Sequence, residues 1–359
     1  MADINVGIVG AGFMAQSAHI LCFQRAQGAR VSALASSRVE LGRQVADRFG
    51  IGTRYKTHHE LAADPAVDLA VVLQPPEYNA QTCIDLLRAG KHVLCEKPVC
   101  LSLEEARRMQ RAAEESGRLL MVGFMKRFDA GVQAARAVTE RWLASGEAGQ
   151  LLCGGVRSLI GGDWLANIGG LFPVLKTEEP SGEKPRCAGP DWLAEPYGAE
   201  PLGFGSAYYF FNHVHSHDMD LLNYFLGQEF EVRFASWESA AKLAVLSYDG
   251  RPVTLTVGGP MPNNRWDETL WLCFEHGRVE VQLPPPMLVN SPAQVTVYYM
   301  GERQELCDVR APYSWSFLRQ AQNAVDGVAG RAEPICTIDD GVAQLRMTEA
   351  VFRWLSDRA

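Results

Sequence analysis

Apolar residues fall along this chain in two different rhythms. In the first third, short apolar runs alternate with stretches whose apolar residues recur every three or four positions. The runs at residues 4–9, 31–35, 68–73, 91–95 and 119–122 read as strands. The periodic stretches at 38–49, 77–89 and 102–116 read as helices. Gly90 ends the second of these. Ser102 opens the third, with Glu105 three positions on as a capping box, and Gly117 closes it. Strands alternating with helices predict a parallel, doubly wound Rossmann sheet over residues 1–123. Past Val122 the rhythm changes. A helix at 129–144 is followed by strands at 151–160, 230–236, 243–248, 253–257, 269–274, 279–283 and 295–299, then by helices at 313–327 and 338–356. Turns at Asp249-Gly250 and His276-Gly277 make this an antiparallel pattern. The expected fold is therefore α/β, an N-terminal doubly wound parallel sheet plus a C-terminal α+β domain, residues 124–359, with a large, mainly antiparallel sheet.

Chemistry gathers where strands of the first domain end. Val93-Leu94-Cys95 is apolar on both faces, so the strand is covered on both sides. It ends in Glu96-Lys97-Pro98, and the proline has no N–H to continue the ladder. Lys97 thus stands at the carboxyl rim, where open α/β sheets bind ligands. At the first strand's end, Gly10-Ala11-Gly12-Phe13-Met14-Ala15 is a Gly-x-Gly-x-x-Ala turn, with a helical pattern continuing through Ala18, Leu21, Cys22 and Arg25. Gly10 permits the tight turn, Gly12 lets the backbone approach a pyrophosphate, and Ala15 lets the helix pack on the sheet. Gly10, Gly12, Phe13 and Met14 are the expected dinucleotide contacts. After the second strand comes Ser36-Ser37-Arg38, where an NAD site usually carries an acid for the ribose 2′-hydroxyl. Hydroxyls and a guanidinium suit a 2′-phosphate, which favours NADP with NAD as the alternative. Arg38 also reads as a plain helix-start charge. Gln74-Pro75-Pro76 marks a second break on the same rim, or a simple loop.

Composition narrows the class. The 359 residues suit two domains; 47% are hydrophobic and 21% charged, as in an ordinary globular protein. A net charge of -8 argues against nucleic-acid or anionic-membrane surfaces, which need basic patches. The nine cysteines are scattered, with no Cys-x-x-Cys pair, which fits reduced thiols in a cytoplasm. The start of the chain is too short and acidic for a signal peptide before it enters a strand, and no apolar run is long enough to span a bilayer.

The glycine turn at 10–15, the run Ala89-Gly90-Lys91-His92-Val93-Leu94-Cys95-Glu96-Lys97-Pro98 and the stretch Gly123-Phe124-Met125-Lys126-Arg127-Phe128 resemble the Gfo/Idh/MocA family of oxidoreductases, over nearly the whole chain. The resemblance implies a lysine, Lys97, contacting nicotinamide ribose and a substrate hydroxyl, bordered by Glu96 and Gln74-Pro75, with a Lys97-Pro98 bond that is often cis. It also implies an antiparallel sheet whose open face forms subunit contacts, hence a homo-oligomer, dimer or tetramer. The family's second-domain helix carries Asp-x-x-x-His-x-x-Asp. Here residues 212–222, Asn-His-Val-His-Ser-His-Asp-Met-Asp-Leu-Leu, supply His217 and Asp220 at the second and third positions and His213 in place of the first aspartate. The continuation to Gly227 reads as one helix, with His213 and His217 one turn apart on one face. A neutral His213 would relay a proton or bind substrate, and a charged one would depress the basicity of His217. No catalytic metal is expected: His-x-His-x-His lines one face only on a strand, although His213, His217 and Asp220 make a zinc-capable set.

The expected activity is hydride transfer between NADP or NAD and a secondary hydroxyl or ketone of a sugar, cyclitol or glycoside. His217 is the expected base, Lys97 and His213 its partners, and Arg127, Asn212 and Asp220 hold other hydroxyls. The long Gly- and Pro-rich stretch at 161–205 adds Trp164, Trp192 and Tyr197, either as platforms for sugar rings or as anchors pinning the stretch to the core. Alternatives are a redox-neutral, glycoside-cleaving enzyme with tightly held coenzyme and a non-catalytic dinucleotide-sensing regulator.

Overall fold

A computed structural model of the chain describes residues 3–161, 173–180, 189–193, 204–237, 241–261, 265–301 and 304–358. Contacts divide the chain into two compact units. One comprises Met1–Phe124, Gly169–His213 and Phe317–Leu345; the other comprises Met125–Ile168, Val214–Ser316 and Arg346–Ala359.

The first unit is built on six strands: β1 (Ile4–Val9), β2 (Ala29–Ala35), β3 (Thr53–Tyr55), β4 (Leu69–Val72), β5 (His92–Cys95) and β6 (Leu120–Val122). They lie in the order β3-β2-β1-β4-β5-β6, every pair parallel. The strand order reverses between β1 and β4, which places a ligand crevice at their carboxyl ends. All four residues of β4 and the last three of β5 are buried, as a doubly covered sheet requires. A π-helical turn, Ala15–His19, leads into α1 (Ile20–Arg25). Helices α2 (Val39–Phe49), α3 (His58–Ala63), α4 (Pro76–Arg88) and α5 (Leu103–Ser116) complete the alternation. The Ser102 hydroxyl accepts from the Glu105 N–H at 3.3 Å, the expected cap of α5. β3 and α3 are too short to show a period, and only the Thr57-His58-His59-Glu60 capping signature marks α3 in the sequence. β3 is three residues long with two exposed, and α3 is a six-residue helix fixed by the reciprocal Thr57–Glu60 capping box.

The second unit holds an eight-stranded sheet: β7 (Leu151–Gly161), β8 (Glu231–Ser236), β9 (Ala241–Tyr248), β10 (Arg251–Met261), β11 (Trp266–Phe274), β12 (Gly277–Leu283), β13 (Gln294–Met300) and β14 (Gln304–Val309). The order is β14-β13-β12-β11-β7-β10-β9-β8. Every pair is antiparallel except β7 with β10, where the chain returns beside β7 only after a long crossover. Asp249 and Gly250 both have positive φ, 50° and 80°, and join β9 to β10 as a tight hairpin. The other expected turn lies one residue earlier, at Glu275-His276, because Gly277 already pairs with Phe274. Gly277 is required by packing: a Cβ there would meet the Trp142 ring at 2.7 Å. β14 was not expected; its residues are almost all exposed and show no apolar alternation.

The helices beyond the first sheet are α6 (Ala130–Ser145), α7 (Phe204–Leu226), α8 (Ser316–Val328) and α9 (Ile338–Ser356), with a short 3₁₀ turn at Met125–Phe128. The run from residue 212 to 222 lies within the single 23-residue helix α7, as its pattern predicts.

Candidate active site

The β1–α1 turn has the geometry that a dinucleotide needs. Gly10 has φ +110°, and a Cβ there would meet the Leu73 carbonyl oxygen at 2.5 Å. No other residue fits without moving the backbone just past β4. Gly12 is different: a Cβ there would meet no atom of the chain within 4 Å. That open space fits the expectation of a backbone cradle for a pyrophosphate. Ala15 is fully buried against the sheet. Phe13 and Met14 are half-buried at the mouth of the turn. Along the same rim, Ser36 is buried and its hydroxyl donates to the Arg38 carbonyl at 2.9 Å, while Ser37 and Arg38 are half-buried. The Gln74 amide donates to the Thr82 hydroxyl at 2.9 Å, and Pro75 leads into α4.

At the end of β5 the carboxylate of Glu96 is spent on the protein. One oxygen bonds His19 Nε2 at 2.8 Å and the other accepts from the Lys97 N–H at 2.9 Å. Both side chains are buried, and His19 meets the Phe317 ring edge-on at 5.6 Å. Glu96, expected at the coenzyme, therefore braces the turn that presents Lys97. The Lys97-Pro98 peptide is cis. Lys97 is half-buried, and its Nζ donates to the backbone carbonyl of His213 at 2.8 Å. Tyr209 stacks on the His213 ring with centroids 5.2 Å apart. Desolvation by surrounding protein, and then the Lys97 charge, lowers the His213 pKa to about 4. By surface area His213 is exposed, so water reaches part of the ring and tempers the desolvation. Both influences still favour the neutral imidazole at pH 7.

Asn212 departs from its expected role. It is wholly buried; its amide donates to the Cys100 carbonyl at 3.2 Å and accepts from the Gln344 amide at 3.1 Å. Both ends of the side chain tie the first part of α7 to the first unit, which corrects the expectation of a substrate contact.

In the second unit, His217 is buried on α7. Asp220 receives the Arg127 guanidinium through Nε at 2.9 Å and Nη2 at 2.7 Å. Both are buried, and the guanidinium lies over the Tyr224 ring at 4.6 Å. The two residues expected to hold hydroxyls thus hold each other. A second buried group was not anticipated. Lys126 pairs with Glu268 on β11, the Trp266 indole N–H donates to Glu268 at 3.0 Å, and the neighbouring buried Asp218 accepts from His215 Nδ1 at 2.9 Å. Burial pushes Glu268 up to about 8, and although burial also opposes ionisation of Asp218, His215 and Lys126 hold that carboxyl below its usual range. Glu268 lies 142 positions from Lys126 and stands in no motif, although Lys126 falls within the stretch 123–128.

Trp164 and Tyr197 lie outside the described residues. Trp192 meets the Tyr208 ring edge-on at 6.0 Å, and the Tyr208 hydroxyl donates to the Leu101 carbonyl at 2.8 Å, which favours the anchoring role for this aromatic. Among the described residues, one group of His, Cys, Asp and Glu could hold a metal: His58, His59 and Asp85, on α3 and α4 rather than α7. The eight described cysteines are free thiols. No helix among the described residues is long and apolar enough to cross a membrane.

Residues 4–124 match the model of the oxidoreductase family GFO_IDH_MocA, NAD-binding Rossmann fold. The chain is similar to 1,5-anhydro-D-fructose reductase of Ensifer adhaerens, with 39% identity over 114 residues, 32% of this chain and 34% of the relative. The first curated relatives are each matched over only 34% to 44% of their own length. Two solved structures share the fold over nearly the full length. Levoglucosan dehydrogenase in complex with NADH has a TM-score of 0.73 at 17% identity, covering 99% of this chain and 98% of that one. A 3-ketoreductase from Actinomadura kijaniata, in complex with NADP and TDP-benzene, has a TM-score of 0.72 at 21% identity, covering 97% of each.

Proposed function

We propose, from the premise that this chain belongs to the Gfo/Idh/MocA oxidoreductases, that it transfers a hydride between NAD(P) and a secondary hydroxyl or ketone on a sugar, cyclitol or glycoside. The observation that carries this reading is the end of β5. Lys97 is held at the carboxyl rim by a braced turn, in the same unit as a glycine turn with open space at Gly12.

The bound nicotinamide supplies the hydride acceptor or donor. The chain's own residues do the rest. Gly10, Gly12, Phe13 and Met14 cradle the dinucleotide, with Ser36, Ser37, Arg38, Gln74 and Pro75 along its flank. Lys97 orients the reacting hydroxyl. Its Nζ, a hydrogen-bond donor at the carboxyl rim, would donate to that hydroxyl when substrate is bound. His217 takes the proton as alcohol becomes ketone and returns it in the reverse direction. A neutral His213 puts no positive charge one helical turn from His217 and offers a ring nitrogen to substrate. Arg127 and Asp220 shape the substrate side, Trp164 provides a ring platform, and the large sheet pairs copies into a dimer or tetramer.

The test is Lys97→Ala, in a coenzyme-coupled screen of sugars, cyclitols and glycosides. Turnover should be lost while the variant still binds coenzyme within a few-fold of wild type. Full turnover in that variant would falsify the role of Lys97.

A further inference from the structure

The second strand ends without an acid, yet an acid reaches that place from far along the chain. Residues 173–180 lie on the first unit and are fastened to it at three points. The Gln16 amide both donates to the Leu175 carbonyl at 3.0 Å and accepts from the Leu175 N–H at 2.8 Å. Arg48 Nη1 donates to the Pro173 carbonyl at 2.6 Å. Glu179 then sets its carboxylate on the first turn of α2. One oxygen accepts from the Val39 N–H at 2.8 Å, and the other accepts from Glu40 at 3.0 Å and Leu41 at 3.4 Å. Arg38, at the cap position, has no side-chain acceptor to offer these donors, and no cap bond is made from it.

The start of α2 follows the Ser36-Ser37-Arg38 turn directly. In dinucleotide folds the end of the second strand discriminates a ribose 2′-hydroxyl from a 2′-phosphate. We propose that Glu179 is the residue that selects the coenzyme here, by occupying the anion-binding N–H groups of α2 and thereby favouring NAD over NADP. The inference rests on the coenzyme reading above. A carboxylate has about four acceptor positions, and three are filled by N–H groups, which leaves one on the oxygen bonded to Val39 for a ribose hydroxyl. A 2′-phosphate would need the same donors and would face a like charge, so it must displace Glu179 or go without them. The preference for NADP drawn from residues 36–38 alone is thereby reversed. A carboxylate supplied by a segment fastened through Gln16 and Arg48 replaces the one missing from β2.

The test is direct titration of the full chain with NADH and with NADPH, read by coenzyme fluorescence, for wild type, Glu179→Gln and Glu179→Ala. Thermal melts of each protein without coenzyme accompany it. Wild type should bind NADH at least tenfold more tightly than NADPH. Both variants should shrink that ratio at least tenfold, mainly by tighter NADPH binding. Glu179→Gln keeps an acceptor for the α2 cap, so its melt should stay near wild type and its titration isolates the charge. A wild type that prefers NADPH overturns the proposal. So does an unchanged ratio in Glu179→Gln with a lowered melt in Glu179→Ala, which would make Glu179 a helix cap only. Failure of wild type to bind either coenzyme would overturn the dehydrogenase reading itself, and this proposal with it.

Discussion

Gly10 and Gly12 stand two positions apart in one turn, and the structure gives them opposite reasons for being glycine. Replacing each in turn with alanine separates folding from binding. At Gly10 the backbone has φ +110°, and an added Cβ would meet the Leu73 carbonyl oxygen at 2.5 Å. An L-residue in such a conformation costs about 1–2 kcal/mol. Overpacking against a backbone that cannot swing away adds roughly 1–3 kcal/mol. Gly10→Ala should therefore destabilise the first unit by about 2–5 kcal/mol without any ligand present. At Gly12 the same Cβ meets nothing within 4 Å. Gly12→Ala should leave the stability of the coenzyme-free protein within about 0.5 kcal/mol of wild type. If Gly12 cradles a pyrophosphate as proposed, the added methyl would stand in its way, and coenzyme affinity should fall about 100-fold, or about 2.7 kcal/mol. Urea unfolding without coenzyme and fluorescence titration with NADH and NADPH measure the two quantities on the same protein. Two results would refute the reasoning: Gly12→Ala unfolding as readily as Gly10→Ala, or Gly12→Ala binding both coenzymes within threefold of wild type.

Three further outcomes follow from buried and perturbed charges. Asp220→Ala should destabilise the second unit by about 3–5 kcal/mol, because it strands the buried Arg127 guanidinium; urea unfolding checks this, and a loss under 1 kcal/mol would mean that water reaches the pair. The folded pKa of His213, about 4, lies below its ordinary value near 6.5. The unfolded chain therefore binds the proton first. The contribution of this group to stability is whole above pH 6.5 and is lost as pH falls toward 4. His213→Gln should flatten that part of the stability-versus-pH curve, and in Lys97→Ala the His213 resonance, followed by NMR, should titrate at higher pH. An unmoved resonance would show that the Lys97 charge does not act on the ring.

Much of this molecule is written locally in the chain. The parallel sheet could be read because its strands other than β3 are apolar runs and its helices other than α3 are periodic, and because Gly90, Ser102 and Gly117 mark boundaries with residues that suit them. Lys97 could be singled out because an apolar strand stopped by proline leaves one cation at a known rim. The helix bearing His213, His217 and Asp220 was legible for the same reason, as one uninterrupted periodic run. What tertiary structure decided is which charged and polar side chains answer one another. Arg127 finds Asp220 across 93 positions, Lys126 finds Glu268 across 142, and Glu179 reaches α2 across about 140. No spacing rule links such residues, since their proximity is made by strand order and by the path of a long connection. Burial then sets their chemistry. The same imidazole that sequence leaves open to either charge is held neutral at His213 by desolvation and the Lys97 ammonium. The amide of Asn212, polar and beside the motif, is drawn inward because Cys100 and Gln344 can satisfy it there.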